Sequence, residues 1–344
     1  MKGRQILIEP LPSGGHAAAL MVDGTLEDLL IDVPDADKTP RVEEIRRAVV
    51  GRPIKGIGGV MVDLGDGLTG FLRTQRPPSS GTRLLVQVTG SAESGKAPPV
   101  TDRVRLKGRF AILTPGRSGL NISRSIRDPD RRDALDATAH RAMFGAGSEL
   151  GLILRSAAEE ADNDEIAGEI AILRRNWDAI TTGGQDAPKL LLPAPGASEL
   201  AWRDWKRTGV PVISNATALA DQDVWDLVAA LRQPFVAIGA GGLFIEATRA
   251  LVAVDVNTGA DTSPAAALKA NIAAMRELPR QLRLRGLGGQ IVVDPAPLAK
   301  SQRKMVEEAL TGALRRDGTE TSIAGWTPLG HLELNRKRDR PPLV

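Results

Sequence analysis

Two apolar runs that each close on an aspartate constrain this chain more than any other feature. LVAVDVNTG occupies 251–259 and QIVVD occupies 290–294, with a helical stretch at 264–285 between them. Strand, helix and strand within about 45 residues imply parallel neighbours joined by a right-handed crossover. In parallel neighbours both carboxyl ends lie on one edge of the sheet, where open α/β sheets bind ligands. Adjacent strands then set Asp255 and Asp294 about 5 Å apart. Asn257, two positions on, points the same way as Asp255.

An ionised carboxylate buried without a partner is costly, so acids at the end of apolar strands need an account. Two readings stay open on the residues alone. Asp followed by Asn-Thr-Gly is a turn sequence, and Asp294 before Pro295 suits a helix cap. Alternatively, two carboxylates and an amide oxygen form a hard, all-oxygen site. Mg2+ suits such a site, held by one or two carboxylates while keeping waters for substrate phosphates. An ion so held polarises a phosphoryl oxygen and activates water, which is the chemistry of phosphodiester hydrolysis. GAGG at 239–242 is no dinucleotide fingerprint, because Phe244 stands where the third glycine belongs. It reads as a tight turn between strands.

Composition narrows the rest. The length of 344 residues suggests two or three domains. The chain has no cysteine, which excludes disulfides and thiolate zinc sites and fits a reducing compartment. His16, His140 and His331 stand far apart, which argues against a metal site built from histidines. No apolar run reaches the length of a membrane span, and MKGRQILIEP is no signal peptide. The net charge of +3 and sequence pI near 9.3 only permit nucleic acid as a partner. Basic residues crowd the last quarter in RQLRLRG (280–286), RR (315–316) and NRKRDR (335–340); such runs are ordinarily solvated faces.

Along the chain, 1–35 reads as about three strands, and 51–118 as short strands punctuated by glycine and proline, as in a small barrel. PPSSGT (77–82) and GSAESGKAPP (90–99) read as its long loops. DRRDALDATAHRAMF (130–144) reads as a helix and ELGLILRSA (149–157) as a strand and turn. Ile166, Ile170, Leu173, Trp177 and Ile180 form an amphipathic stripe in which Trp177 anchors a core. TTGGQDAP (181–188) reads as a loop, KLLLPAP and VPVISN as short strands around a helix, and DQDVWDLVAALR as another helix. After 235, strands and helices alternate, with a helix from about 299 to 316 and a last strand near 329–335.

The run IEATRALVAVDVNTG, then ANIAAMRELPRQLRLRGLGGQIVVD, then GHLELNRKRDRPPL resembles the catalytic segment of the ribonuclease E/G family. The elements stand in the family's order and spacing. Upstream, MVDLGDGLTGFL with LLVQV and GKAPPVTDRVRLKGRFAIL resembles the family's OB-fold RNA-binding barrel, and GLILRSA its pocket for an RNA 5′-monophosphate. The resemblance implies a multidomain α/β fold with an OB-fold β-barrel inserted in an RNase H-like region, followed by a DNase-like α/β catalytic domain. The implied divisions are 1–36 and 183–238 (shortened) for the RNase H-like parts and 37–118 for the barrel. The region at 119–182 is 5′-end-sensor-like, and 239–344 is the catalytic metal-binding domain.

By the same resemblance Asp255 and Asp294 bind a catalytic Mg2+, with Mn2+ as a substitute, and Asn257 supports them. Arg155, Ser156 and Arg124 correspond to 5′-phosphate contacts, with serine where the family commonly has threonine. A forked guanidinium and a hydroxyl are sensible phosphate ligands; an ion pair is the plain alternative for Arg155. Phe71 and Lys96 match an aromatic and a basic RNA contact on the barrel, the means by which single strands are held. A barrel-core phenylalanine is the plain alternative for Phe71. Met61 stands where the family often has a second stacking aromatic, and Glu320 about where a basic 5′-phosphate contact is expected. The cysteine pair of the family's zinc link is absent and the sequence stops at RPPLV, so no zinc and no zinc-linked tetramer is expected, leaving a monomer or homodimer. The implied activity is a cytoplasmic, Mg-dependent endoribonuclease acting on single-stranded RNA in RNA processing or decay. The alternatives are an RNA-binding protein of the same fold without cleavage, or a metal enzyme acting on small phosphate compounds.

Overall fold

The computed structural model describes residues 3–34, 36–54, 56, 58–93, 95–182 and 187–343. Positions 183–186, within the loop expected at 181–188, lie outside the described residues. The strands are β1 (Arg4–Pro10), β2 (His16–Val22), β3 (Thr25–Ile31), β4 (Ile45–Ile54), β5 (Gly59–Gly65), β6 (Leu68–Arg73), β7 (Arg83–Val88) and β8 (Pro99–Thr101). Then come β9 (Leu106–Lys107), β10 (Ala111–Pro115), β11 (Leu120–Ile122), helix α1 (Pro129–Ala142), β12 (Leu150–Leu154) and helix α2 (Asn163–Thr182). β13 (Lys189–Leu192), a short α3 (Ala197–Leu200), β14 (Val212–Ser214) and α4 (Val224–Leu231) follow. The last third holds β15 (Phe235–Ile238), β16 (Gly241–Ala247), β17 (Val252–Asn257), α5 (Pro264–Leu284), β18 (Gly289–Asp294), α6 (Arg303–Asp317), β19 (Thr321–Trp326) and β20 (Leu332–Arg336).

The chain divides into two compact units. One comprises residues 10–17 and 31–212. Its centre is an OB-like barrel: β4, β5, β6, β8 and β7 are neighbours in that order, and β4 pairs with β7 to close the ring. Ala48, Val50, Val60, Val62, Leu64 and Leu72 fill it. β13 adds to β4 from outside. A second sheet, β11-β12-β10-β9, is covered by α1 and α2. The amphipathic stripe expected on α2 is present, with Ile166, Ile170, Leu173 and Ile180 buried and Trp177 packed beside them. Helix α1 starts where the sequence dictates. Pro129 supplies a preset φ in the first turn, and the Asp128 carboxylate accepts from the Arg131 amide at 2.7 Å.

The other unit comprises residues 1–9, 18–30 and 213–344. It holds the sheet β14-β1-β2-β3 and the six-stranded sheet β15-β16-β17-β18-β20-β19. In the larger sheet β17 and β18 are parallel and all other pairings are antiparallel. Val252, Val254, Val256, Ile291 and Val293 face a core completed by α5 and α6. The alternate positions, among them Asp255, Asn257 and Asp294, are exposed. GAGG does form a hairpin turn, with Gly239 at φ +60° between Ile238 and its register partner Gly241. Strand β19 falls where no strand was expected. It is an edge strand of intermediate exposure, and such strands carry the weakest alternation. Among the described residues no helix is long and apolar enough to cross a membrane.

The basic runs are not simple solvated faces. Arg283 from RQLRLRG pairs with Glu27 at 2.7 Å, with Asp28 at 3.4 Å and with Asp317. Arg336 from NRKRDR meets the other Asp317 oxygen at 2.7 Å, with both side chains 1% exposed. Arg340 clamps Asp28 through both nitrogens at 2.5 and 3.1 Å. These guanidiniums tie β3 to α5, α6 and the segment after β20. Removing one member of a buried pair strands the other charge. Arg336→Met therefore lowers the unfolding free energy by about 3–5 kcal/mol, read from the midpoint of a urea titration. A shift under about 1 kcal/mol would show the pair to be hydrated and weak.

Candidate functional site

The parallel pairing of β17 with β18 sets Asp255 directly in register with Asp294. Register partners point to the same face, so both carboxylates rise from the side opposite the core. Neither aspartate caps a helix. The first turn of α5 is capped by Ser263, whose hydroxyl accepts from Ala266 N at 3.3 Å. The helical turns after β18 begin only at Lys300. The capping alternative is thus excluded by position. The turn alternative belongs to Asn257, whose Oδ1 accepts from Gly259 N at 2.9 Å and whose side chain is exposed.

The end of β18 is anchored from below. Asn271 on α5, fully buried, donates to Ala296 O and accepts from Ala296 N, both at 3.0 Å. This two-way lock fixes the backbone two residues beyond Asp294. Periodicity marks position 271 as inward-facing but says nothing of its partner across 25 positions.

A further member was not expected. His331 lies one step past the registered pair Val293–Leu332, and its Nε2 stands 3.6 Å from Asp294 Oδ1. Counting histidines along the chain hid it, because the neighbour relation is created by β20 pairing with β18. On the other side, Asp255 is in register with Phe244, and Phe244 with Phe235. One row of side chains therefore crosses the open face: Phe235, Phe244, Asp255, Asp294, His331. Among the described residues no group of three histidine or acidic side chains converges as a metal cage. Two exposed carboxylates with room for water fit Mg2+, which retains several waters and uses few protein ligands. The donor set present thus suits the ion that the sequence implied.

The unit that holds the barrel carries Arg124, Arg155 and Ser156. Ser123 N donates to Leu154 O at 2.9 Å, which sets exposed Arg124 beside the strand end where Arg155 and exposed Ser156 begin a short turn. Arg155 is engaged: its Nη1 donates to Gly108 O at 2.6 Å and its Nη2 to Asp204 Oδ1 at 2.8 Å. Asp204 also takes Arg203 Nη2 at 2.9 Å, and Arg203 grips Glu43 through both nitrogens at 2.7 and 3.0 Å. Burial pushes the Asp204 carboxyl up, but the hydrogen bonds and charges of Arg203 and Arg155 outweigh it and hold it below the ordinary range. Glu43 is lowered in the same way, burial being overcome by Arg203 and then Lys107. Glu320 is exposed between α6 and β19.

On the barrel, Phe71 is half-buried on the outer surface, in register with Met61, and is no part of the barrel's interior cluster. Its ring lies over Gly59, where a Cβ would collide with it. Lys96 is 68% exposed and pairs with Glu93 at 2.6 Å. It stands three residues before Pro99, the register partner of Phe71. An exposed pair of this kind is weak and yields readily to another anion.

The ribonuclease E/G family model matches residues 105–230 and 212–339. The chain is 30% identical to ribonuclease E of Nostoc sp. (strain PCC 7120) over 93% of its own length and 54% of that protein. It is 29% identical to ribonuclease G of Salmonella typhimurium, covering 76% of this chain and 60% of that one. With ribonuclease E of Escherichia coli K12 the values are 26%, 76% and 28%. The chain thus spans about half the length, or less, of ribonucleases E that it matches.

The Asn271 lock yields a test. Asn271→Ala strands a buried amide and carbonyl at Ala296 and lowers stability by about 2–4 kcal/mol. Asn271→Asp at neutral pH restores only the contact to Ala296 N. Thermal unfolding of the two variants reads the difference, and equal melting points would show that the lock does not hold the strand end.

Proposed function

The chain belongs to the ribonuclease E/G family, and from that premise we propose that it is a metal-dependent endoribonuclease that cleaves single-stranded RNA in RNA processing or decay. The observation that carries this reading is the register of Asp255 with Asp294 on the open face. Two carboxylates about one strand spacing apart hold a divalent cation without enclosing it. The exposed remainder of the coordination sphere is left for phosphate and water.

When bound, Mg2+ supplies positive charge at the scissile phosphoryl group and an acidified water. The chain's own groups do the positioning. Asp255 and Asp294 hold the ion at the sheet edge. Asn257, fixed by its bond to Gly259, directs its amide hydrogens toward a non-bridging phosphate oxygen. His331, beside Asp294, limits the freedom of that carboxylate. Cleavage in this arrangement leaves a 3′-hydroxyl and a 5′-phosphate. On the barrel, the Phe71 ring offers a base a stacking face, and Lys96 exchanges Glu93 for a backbone phosphate.

Arg155, Ser156 and Arg124 are the groups that would meet a 5′-monophosphate. Arg155 reaches one only by leaving Asp204, so the pocket is self-occupied and stimulation by a 5′-monophosphate is weak. Asp204→Asn removes the competing charge. It raises the cleavage ratio of 5′-monophosphorylated to 5′-hydroxyl RNA about tenfold, the worth of one charge-assisted hydrogen bond. An unchanged ratio in that variant would remove these three residues from 5′-end binding.

The activity itself is tested on a single-stranded, AU-rich oligoribonucleotide with and without Mg2+. Metal-dependent products fall at least a hundredfold, about 3 kcal/mol of transition-state stabilisation, in Asp255→Asn and in Asp294→Asn, while binding measured without metal persists. Tight, salt-sensitive binding without products would instead identify an RNA-binding protein that does not cut. Hydrolysis of mononucleotides without affinity for oligonucleotides would identify an enzyme of small phosphate compounds.

A further inference from the structure

We propose, on the reading of this chain as a single-strand ribonuclease, that Phe244 is a stacking platform for the nucleobase next to the scissile phosphate, held in position by Phe235. The chain has five phenylalanines, five tryptophans and no tyrosine, and two of the exposed rings fall together on this sheet. Phe235 is 46% exposed and Phe244 37% exposed, on the face that carries the two aspartates and away from the core. Their centroids are 5.0 Å apart with the rings inclined at 48°, a favourable tilted contact.

The pair is seated, not loose. A Cβ on Gly242 would collide with the Phe235 ring, so that ring sits over the glycine. A cross-strand ring covering a glycine is a known way to stiffen an edge, and that accounts for Phe235. It does not account for Phe244, which covers no glycine and presents a wet apolar surface in register with Asp255. One strand spacing, about 4.8 Å, separates the backbone of Phe244 from that of Asp255. A nucleotide whose phosphate meets the carboxylates therefore has its base within reach of the ring. The occupant is a base and not a sugar-phosphate, because the ring has a π-face and no charge. Stacking of this kind tolerates every base and requires that the base be unpaired, which favours single strands.

The test compares wild type, Phe244→Leu and Phe244→Trp on a labelled single-stranded oligoribonucleotide, together with copies carrying one abasic position moved along the sequence. Because the side chain is surface-exposed, the leucine variant keeps the fold, checked by its melting temperature. The expected result is a KM raised roughly five- to hundredfold in Phe244→Leu, with kcat little changed and tryptophan restoring it. One abasic position beside the cut reproduces this loss in wild type and adds nothing in the leucine variant. A leucine variant that cleaves like wild type, or an abasic loss equal in both proteins, overturns the assignment. So does a wild-type dimer that Phe244→Leu dissociates with KM unchanged, which would give the face to a second copy. A wild-type chain that neither binds nor cuts RNA removes the ribonuclease reading itself, an outcome distinct from cleavage that ignores the ring.

Discussion

The parallel register of β17 and β18 is the constraint on which the rest of the six-stranded sheet depends. A slip of one residue would turn Asp255 into the core and bring Val254 to the surface. Val252, Val254 and Val256 on one strand, and Ile291 and Val293 on the other, prevent this by burying one face completely. The connection through α5 forces the strands to run the same way, which antiparallel hairpins cannot do. Asn271 on that same helix then locks the backbone just past Asp294. The helix that makes the strands parallel also fixes where one of them ends.

Charge is divided between two kinds of work. Arginines 283, 336 and 340 are taken up by Asp28 and Asp317 in the interior of their unit. In the other unit Arg203 and Arg155 are taken up by Glu43 and Asp204. These cations are poor candidates for direct contact with phosphate, because each is held in a shared ion-pair network whose carboxylates would lose a partner in a partly dry place. The acids of the candidate centre are the opposite case: Asp255 and Asp294 stand exposed, with the His331 imidazole 3.6 Å from Asp294. A net charge of +3 therefore says little about RNA affinity. What matters is which charges remain unspent.

The sequence made one face of the site legible and concealed the other. Alternation and the acid at each strand end located Asp255 and Asp294, because period two is a local property of the chain. The barrel was equally legible, its short strands being marked off by glycine and proline, except that the strands at 106–115, expected within it, belong to the sheet β11-β12-β10-β9. Phe235, Phe244 and His331 became neighbours of the aspartates only through β15, β16 and β20 pairing at a distance, which no local pattern encodes. The partner of Arg155 was hidden for the same reason, since Asp204 lies 49 positions away in a segment with weak periodicity. The arginine runs misled because a basic cluster reads alike whether it faces water or buried carboxylates. The edge strand β19 escaped because half-exposed strands lack a clean alternation.

The two units arrive separately at the same device. Phe71 lies over Gly59 on the barrel and Phe235 over Gly242 on the six-stranded sheet. In each case a glycine on the neighbouring strand leaves room for a ring above it. Such a surface is unfavourable in isolation, since an exposed ring forgoes burial. It becomes useful when the ligand is itself a flat, unpaired ring. A duplex has its bases stacked on one another and offers none to such a face, whereas an unpaired base is free to meet one. On the proposed reading, Phe71 on the barrel and Phe244, seated against Phe235, each favour an unpaired base independently of any charge on the protein.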